Sequence, residues 1–449
     1  MAARLNVVLV VLGGARVDHL PCYGYGPETT PFVDQLAQEG VRFANMIATA
    51  PWTLPAHASL LTGVFAVTHG ATDETGVLSN AHKGLPEYLK TAGYRTAAFC
   101  TNPWVSPETG CGTGFDAFYT QRYHNRIAAR AVFYGRKASD TLLRRRDAGA
   151  RRTNHAFKRW VAASTEPFFA LVHYNEPHLP VSPPPPFERM FVPHGIPPAR
   201  VRSVNQDWDA HIAGQVEAGD EERMLLSALY DGALRYADTR MREIGEFLRQ
   251  RGVWDQTLFV VVGDHGENLG EHQLVGHKGL LYDTVLRVPL LLRCPPCVPQ
   301  GFVVEELAQT TDVTPTVLSV LGIAADAGKL HGRALLDGGR ATRGPAYTIS
   351  ECFRPDLRTL QRRFPQFDTR ALEVRKRAIR TRREKFVWHS DEANELYDLA
   401  ADPGEEANCI EREGLRADTL RRQLFDWLAE VEKCEPEQSA AALGDAMRE

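Results

Sequence analysis

Leu258-Phe259-Val260-Val261-Val262 runs directly into Gly263-Asp264-His265-Gly266-Glu267, and this junction decides the fold. Five apolar residues without alternation predict a strand buried on both faces, as in a parallel sheet covered by helices. The polar residues that follow stand where such a sheet carries its ligand loops, beyond the carboxyl end of a strand. A second stretch, Ala50-Pro51-Trp52-Thr53-Leu54-Pro55-Ala56-His57-Ala58-Ser59-Leu60-Leu61-Thr62-Gly63, joins a hydroxyl, a proline turn and a basic ring, which makes Thr53 a candidate nucleophile. Read alone, Thr53 is equally a loop hydroxyl or a helix cap for residues 56–62. Two such segments at strand ends predict one active cleft.

Outward from that junction, strand-like runs at 7–12, 96–99 and 168–173 alternate with helical patterns at 30–40 and 222–251, the latter stopped by Gly252. This alternation predicts an α/β/α sandwich with a mainly parallel central sheet. Nearer the end, Lys385-Phe386-Val387-Trp388 and Asn394-Glu395-Leu396-Tyr397-Asp398-Leu399 predict two short strands, followed by a turn at 402–405 and a helix over 415–431. The expected division is a main domain over 1–340, a small C-terminal α+β subdomain with a short antiparallel sheet over 341–435, and a polar tail over 436–449. An arginine-rich stretch at about 122–152 reads as an insertion or a solvated helical face, and the proline-rich 180–186 as a stiff connector.

A formal net charge of −4 over 449 residues gives no global attraction to nucleic acid, and none is expected as a partner. The apolar run at 6–12 is too short for a membrane span or a signal core with its flanks. Eight scattered cysteines predict reduced thiols and a cytoplasmic location. Cys294-Pro295-Pro296-Cys297 has metal-site spacing, yet no second pair completes a tetrahedral set.

Together these segments resemble the sulfatase family of the alkaline-phosphatase superfamily, over most of the chain and in the family's order. In that family the segment matching 53–63 reads Cys or Ser, any residue, Pro, a small residue, Arg, and ends in Leu-Thr-Gly. Here Thr53 takes the nucleophile position, His57 the arginine position, and Leu61-Thr62-Gly63 the end. The resemblance implies a hydrolase of small-molecule, glycan- or lipid-derived anionic esters. It also implies one divalent ion, Ca, Mg, Mn or Zn, held by Asp264, His265 and Thr53, with the ion deprotonating the threonine hydroxyl. His57 would stabilise or orient that nucleophile. His178, in His173-Tyr174-Asn175-Glu176-Pro177-His178, matches the family's histidine near the leaving group, and Lys278, in Gly276-His277-Lys278-Gly279, its oxyanion-binding lysine. For His277 two readings stay open, substrate binding and turn capping. Asn102, in Thr101-Asn102-Pro103-Trp104, stands where many sulfatases have a lysine and histidine pair, and an amide there still donates a hydrogen bond to substrate. Threonine cannot be oxidised to formylglycine, so none is expected, and phosphodiesters or phosphomonoesters come ahead of sulfate esters.

At the end of the first strand the family carries a metal-binding aspartate. This chain reads Leu12-Gly13-Gly14-Ala15-Arg16-Val17-Asp18, and the register set by Arg16 and Asp18 puts Gly13 at the ligand position. Four outcomes are compatible with that sequence: Glu267 or His277 completes the shell, water fills it, the position is a changed aspartate, or the chain is a pseudoenzyme that binds an anionic ligand without turnover.

Overall fold

The first strand, β1 (Asn6–Leu12), is buried along its whole length, because each of its faces meets a separate apolar core. In this computed structural model, which describes residues 4–120, 147–164, 167–326 and 328–433, Val7, Leu9 and Val11 face one core and Val8, Val10 and Leu12 the other. The continuous apolar run therefore reflects helices on both sides of the sheet. On one side pack the helices Thr53–Thr62, Leu85–Thr91 and Val313–Val320; on the other, Pro31–Glu39, Ala150–Ala162 and Asp220–Gln250. Gly252 takes a left-handed φ of 69° just beyond the last of these, as a helix stop requires.

Around β1 the main sheet comprises β2 (Val41–Ile47), β3 (Arg95–Cys100), β4 (Ala117–Thr120), β5 (Phe168–Tyr174) and β6 (Thr257–Gly263). After the small ribbon β7 (Asn268–Leu269) with β8 (Val275–Gly276), it is completed by β9 (Arg287–Val288), β10 (Leu290–Arg293) and β11 (Phe302–Gln309). The order is β11-β2-β10-β6-β1-β5-β3-β4, with β9 also on β2. All pairs are parallel except those of β9 and β10. Register then sets the site: Leu12 lies opposite both Tyr174 and Gly263, so Gly13, Asn175 and Asp264 leave the sheet side by side.

After a second ribbon, β12 (Leu336–Asp337) with β13 (Arg340–Ala341), comes an antiparallel sheet of four strands, two more than the sequence suggested. These are β14 (Thr348–Cys352), β15 (Lys376–Arg380), β16 (Glu384–His389) and β17 (Glu395–Asp398). One face, through Ile349, Ile379 and Phe386, packs on the helix Gly414–Lys433; the other, through Cys352, Ala378 and Val387, joins the main core. The Glu351 N–H donates to the Thr49 carbonyl at 2.8 Å, tying this sheet to the end of β2. Much of the arginine-rich stretch, 121–146, and the tail beyond 433 lie outside the described residues. Arg151 and Arg152, at the end of that stretch, are exposed in the first turn of the helix Ala150–Ala162.

Candidate active site

Asp264 follows the last residue of β6 and is fully buried. Its Oδ1 accepts from the N–H groups of Gly14 at 3.1 Å and His265 at 2.8 Å, while Oδ2 has no hydrogen-bond partner among the described residues. Gly14 makes this possible: its φ is 74°, and a Cβ there would lie 3.0 Å from Glu267 Cγ and 3.1 Å from His178 Cα. A side chain at 14 would thus strain the turn and push on the site.

The helix Thr53–Thr62 starts at Thr53 itself, with Trp52 as cap residue and no side-chain cap bond, so the Thr53 hydroxyl is not a helix cap. The hydroxyl oxygen accepts from Asn102 Nδ2 at 3.3 Å and lies 3.4 Å from His265 Nε2. One turn on, His57 Nδ1–H donates to the Thr53 carbonyl at 2.9 Å. A carbonyl only accepts, so the proton is on Nδ1 and Nε2 presents a lone pair. That Nε2 is buried and without a partner.

His173, near the end of β5, was read from sequence only as a strand residue. It is fully buried, with Nδ1 3.3 Å from Thr101 Oγ1 and Nε2 unpartnered. A Cβ built on Gly13 would lie 3.4 Å from this Nε2. The imidazole thus stands beside the space that a side chain at 13 would fill. His57, His173 and Asp264 each offer a ligand atom, all within 4.8 Å of one another. Two neutral imidazoles and a carboxylate suit a divalent ion, and His57 Nδ1 lies 3.5 Å from Asp264 Oδ2. The expected ligands Asp264, His265 and Thr53 also lie together, His265 Nε2 being 3.6 Å from Asp264 Oδ2 and 3.4 Å from Thr53 Oγ1.

His265, expected beside Asp264, keeps its Nε2 3.6 Å from Asp264 Oδ2, and it also groups with His178 and His277, with ligand atoms within 4.8 Å. Glu267, one of the groups considered for completing the shell, lies behind His178, 3.4 Å from its Nδ1, and accepts from the Leu179 N–H at 3.3 Å. Lys278 Nζ is ion-paired with Asp209 at 3.2 Å, whereas its neighbour His277 faces the cluster, with Nε2 3.2 Å from His178 Nε2. Asp18 pairs with Arg16 at 2.7 Å, and Arg16 Nη1 donates to the Glu267 carbonyl at 2.9 Å, so this pair buttresses the loop after β6.

Burial sets the charge state here. It pushes His178 and His265 down to about 4, holds His57 below the usual imidazole value, and puts His173 and His277 well below it. All five rings are neutral near pH 7. Burial also raises Asp264 and, more strongly, Glu267, as expected of carboxylates in a dry site.

The sulfatase family model matches residues 5–323, and the model for the C-terminal region of N-sulphoglucosamine sulphohydrolase matches 270–433. The chain belongs to the sulfatase family. Among curated sulfatase-family relatives, it is 27% identical over 382 residues to the multifunctional alkaline phosphatase superfamily protein PehA of Trinickia caryophylli, covering 71% of this chain and 74% of that one. It is 26% identical over 476 residues to an arylsulfatase of Clostridium perfringens, covering 94% and 93%. The phosphonate monoester hydrolase structure from Agrobacterium radiobacter superposes with a TM-score of 0.79 at 25% identity, covering 95% of this chain and 96% of that one. Sulfatase-family proteins are ester hydrolases that use a divalent metal, and this sulfatase-family chain is an ester hydrolase.

Proposed function

We propose that the protein hydrolyses small phosphate esters, phosphodiesters or phosphomonoesters ahead of sulfate esters, with Thr53 as the nucleophile. The observation that carries this reading is the position of Thr53 Oγ1, between the Asn102 amide and His265 at the start of a helix. Threonine offers no route to the aldehyde of formylglycine, so the hydroxyl itself must attack. The likeness to a phosphonate monoester hydrolase along nearly the whole chain supports phosphorus chemistry.

A divalent ion held by His57, His173 and Asp264 would supply positive charge that favours an ionised hydroxyl and offsets charge on the ester oxygens. The residues do the rest. Asn102 fixes the Thr53 hydroxyl at the start of the helix Thr53–Thr62. Attack of Oγ1 on phosphorus forms a threonine phosphoester as the bond to the leaving oxygen breaks; that oxygen takes a proton from the His178–His277 side. Water then cleaves the bond from phosphorus to Thr53 Oγ1, restoring the hydroxyl and releasing phosphate from a monoester or a phosphate monoester from a diester. Oxyanion contacts pass from Lys278, occupied by Asp209, to His277.

Gly13 was the sequence feature that favoured a ligand-binding pseudoenzyme; the His173 imidazole beside it, with the His57 ring 5.1 Å from that of His173, supports the hydrolase reading instead. The seven described cysteines are all free thiols, which supports the proposed cytoplasmic setting. Among the described residues no helix is long and apolar enough to cross a membrane. The test is turnover of a nitrophenyl phosphodiester, phosphomonoester and sulfate, each with added zinc, manganese, magnesium or calcium. Phosphorus esters should be cleaved by the native chain and not by Thr53→Ala. Cleavage of sulfate alone, or full activity in Thr53→Ala, would overturn the reading.

A further inference from the structure

Among the seven tryptophans, all within the described residues, Trp104 is the most exposed, at 47%. It is nevertheless held in place. Its N–H donates to Asn102 Oδ1 at 2.9 Å, and its carbonyl accepts from Thr109 Oγ1 at 2.9 Å. The short loop after β3 therefore buries Asn102 against the Thr53 hydroxyl and leaves the indole two residues on in the open. Against that indole lies Trp52, directly before Thr53: the ring centroids are 5.4 Å apart and the planes meet at 89°. Trp52 is fixed in turn by Asp73, whose Oδ2 accepts from its Nε1–H at 2.8 Å. In an edge-to-face pair, the ring that presents its edge keeps both of its own faces free of the other. An apolar corner thus flanks the nucleophile, and because it is already ordered a ligand gives up little in settling there.

In-line displacement decides which part of a substrate such a corner can meet. Thr53 Oγ1 attacks from one side and the leaving oxygen departs on the opposite one. Departure is toward His178 and His277, where a different indole, Trp208, packs with its ring 6.3 and 5.9 Å from theirs. Trp52 and Trp104 belong to the nucleophile's side, so they face what stays on phosphorus. We propose that Trp52 and Trp104 form the subsite for the organic arm that remains on phosphorus, and that this arm is a flat aromatic ring. The substrate class narrows accordingly. A phosphate or sulfate monoester carries only its leaving group and leaves the corner unfilled, whereas a phosphodiester fills it. An aliphatic arm would forgo the stacking that a flat ring gains on an indole face. This inference rests on the proposed function for the side of attack, and its residues are distinct from those that carry the chemistry.

The experiment uses the zinc-loaded full-length chain and two diesters that share 4-nitrophenolate as leaving group, phenyl 4-nitrophenyl phosphate and methyl 4-nitrophenyl phosphate. In the native chain kcat/KM should favour the phenyl arm, and Trp104→Ala should cut that preference by about 10-fold. The change should fall mainly on KM, since the contact is made alike in the ground and transition states. Trp104→Phe should keep most of the preference. A preference unchanged in Trp104→Ala would overturn the subsite and leave the proposed function standing. Equal loss with both diesters would also overturn it, by reducing Trp104 to a prop for Asn102. A second readout needs no turnover: phenylphosphonate and methylphosphonate are not esters, and their dissociation constants follow from calorimetry. Phenylphosphonate should bind about 10-fold tighter to the native chain and no tighter to Trp104→Ala. Equal binding of the two by the native chain would overturn the subsite whatever the turnover. Failure to cleave either diester, with the phenylphosphonate preference intact, would sink the proposed function and leave the subsite.

Discussion

Two buried polar clusters lie within one loop segment of each other, around Asp283 and around Asp264, and they are built on opposite principles. At Asp283 each charge meets its counter-charge: Lys385 Nζ lies 3.0 Å from Oδ1 and also pairs with Glu405, and Arg380 Nη2 lies 2.8 Å from Oδ2. Burial alone would raise the Asp283 carboxyl, yet the two cations outweigh it and hold it well below the usual range. This cluster ties the C-terminal sheet to the turn that carries His277; Lys376 adds a bond to the Gly279 carbonyl at 3.1 Å. At Asp264 the buried atoms leave one another unsatisfied: Oδ2, His57 Nε2 and His173 Nε2 have no partners. An unsatisfied buried polar group costs about 1–3 kcal/mol. Three together weigh against a total stability of only about 5–15 kcal/mol. A fold that saturates one cluster and leaves three buried polar atoms unpaired in the other has reserved the second for a ligand.

The contrast can be broken from either side. Thr53→Ala should lower turnover of a phosphodiester by roughly 10³-fold or more, the residue reflecting binding and electrostatics alone, while steady-state assays and zinc analysis on one preparation show the ion retained. Lys385→Met should act only on the saturated cluster. It strips Asp283 and Glu405 of a buried partner and should destabilise the protein by about 3–5 kcal/mol in denaturant unfolding, with zinc per folded chain unchanged. If Lys385→Met instead emptied the metal site without loss of stability, the division between the two clusters would be wrong. Thr101→Val removes the group beside His173 Nδ1, and zinc affinity measured by competition should weaken by about 10- to 100-fold. The smallest effect is expected of Gly14→Ala: the left-handed φ should cost about 1–2 kcal/mol, read as a lower melting temperature, with partial loss of zinc as Asp264 Oδ1 loses its Gly14 donor.

How legible this was from sequence depends on the reach of each signal. The strands at 6–12 and 257–263 were plain because burial on both faces writes an unbroken apolar run. Thr53, Asp264 and His265 were plain because each follows a turn or strand end in a recognisable motif. His173 was hidden by that same logic: it sits at the end of an apolar strand, and only the register of β5 against β1 brings its ring beside Gly13. A histidine ending a strand that neighbours a ligand strand is the signal that would have found it. Between His277 and Lys278 only the backbone decides which side chain faces in. The antiparallel β10 and the strands β14 and β15 escaped because strand direction is set by tertiary pairing, and β15, Lys-Arg-Ala-Ile-Arg, reads as a charged surface stretch.

The central claim is that His57 and His173, with Asp264, do the work of the aspartate missing at position 13. Anomalous diffraction at the zinc edge from zinc-loaded crystals tests it most directly. The account predicts a peak within about 2.0–2.2 Å of His57 Nε2, His173 Nε2 and Asp264 Oδ2. Zinc bound by the protein in solution but with no peak among these three atoms would contradict it.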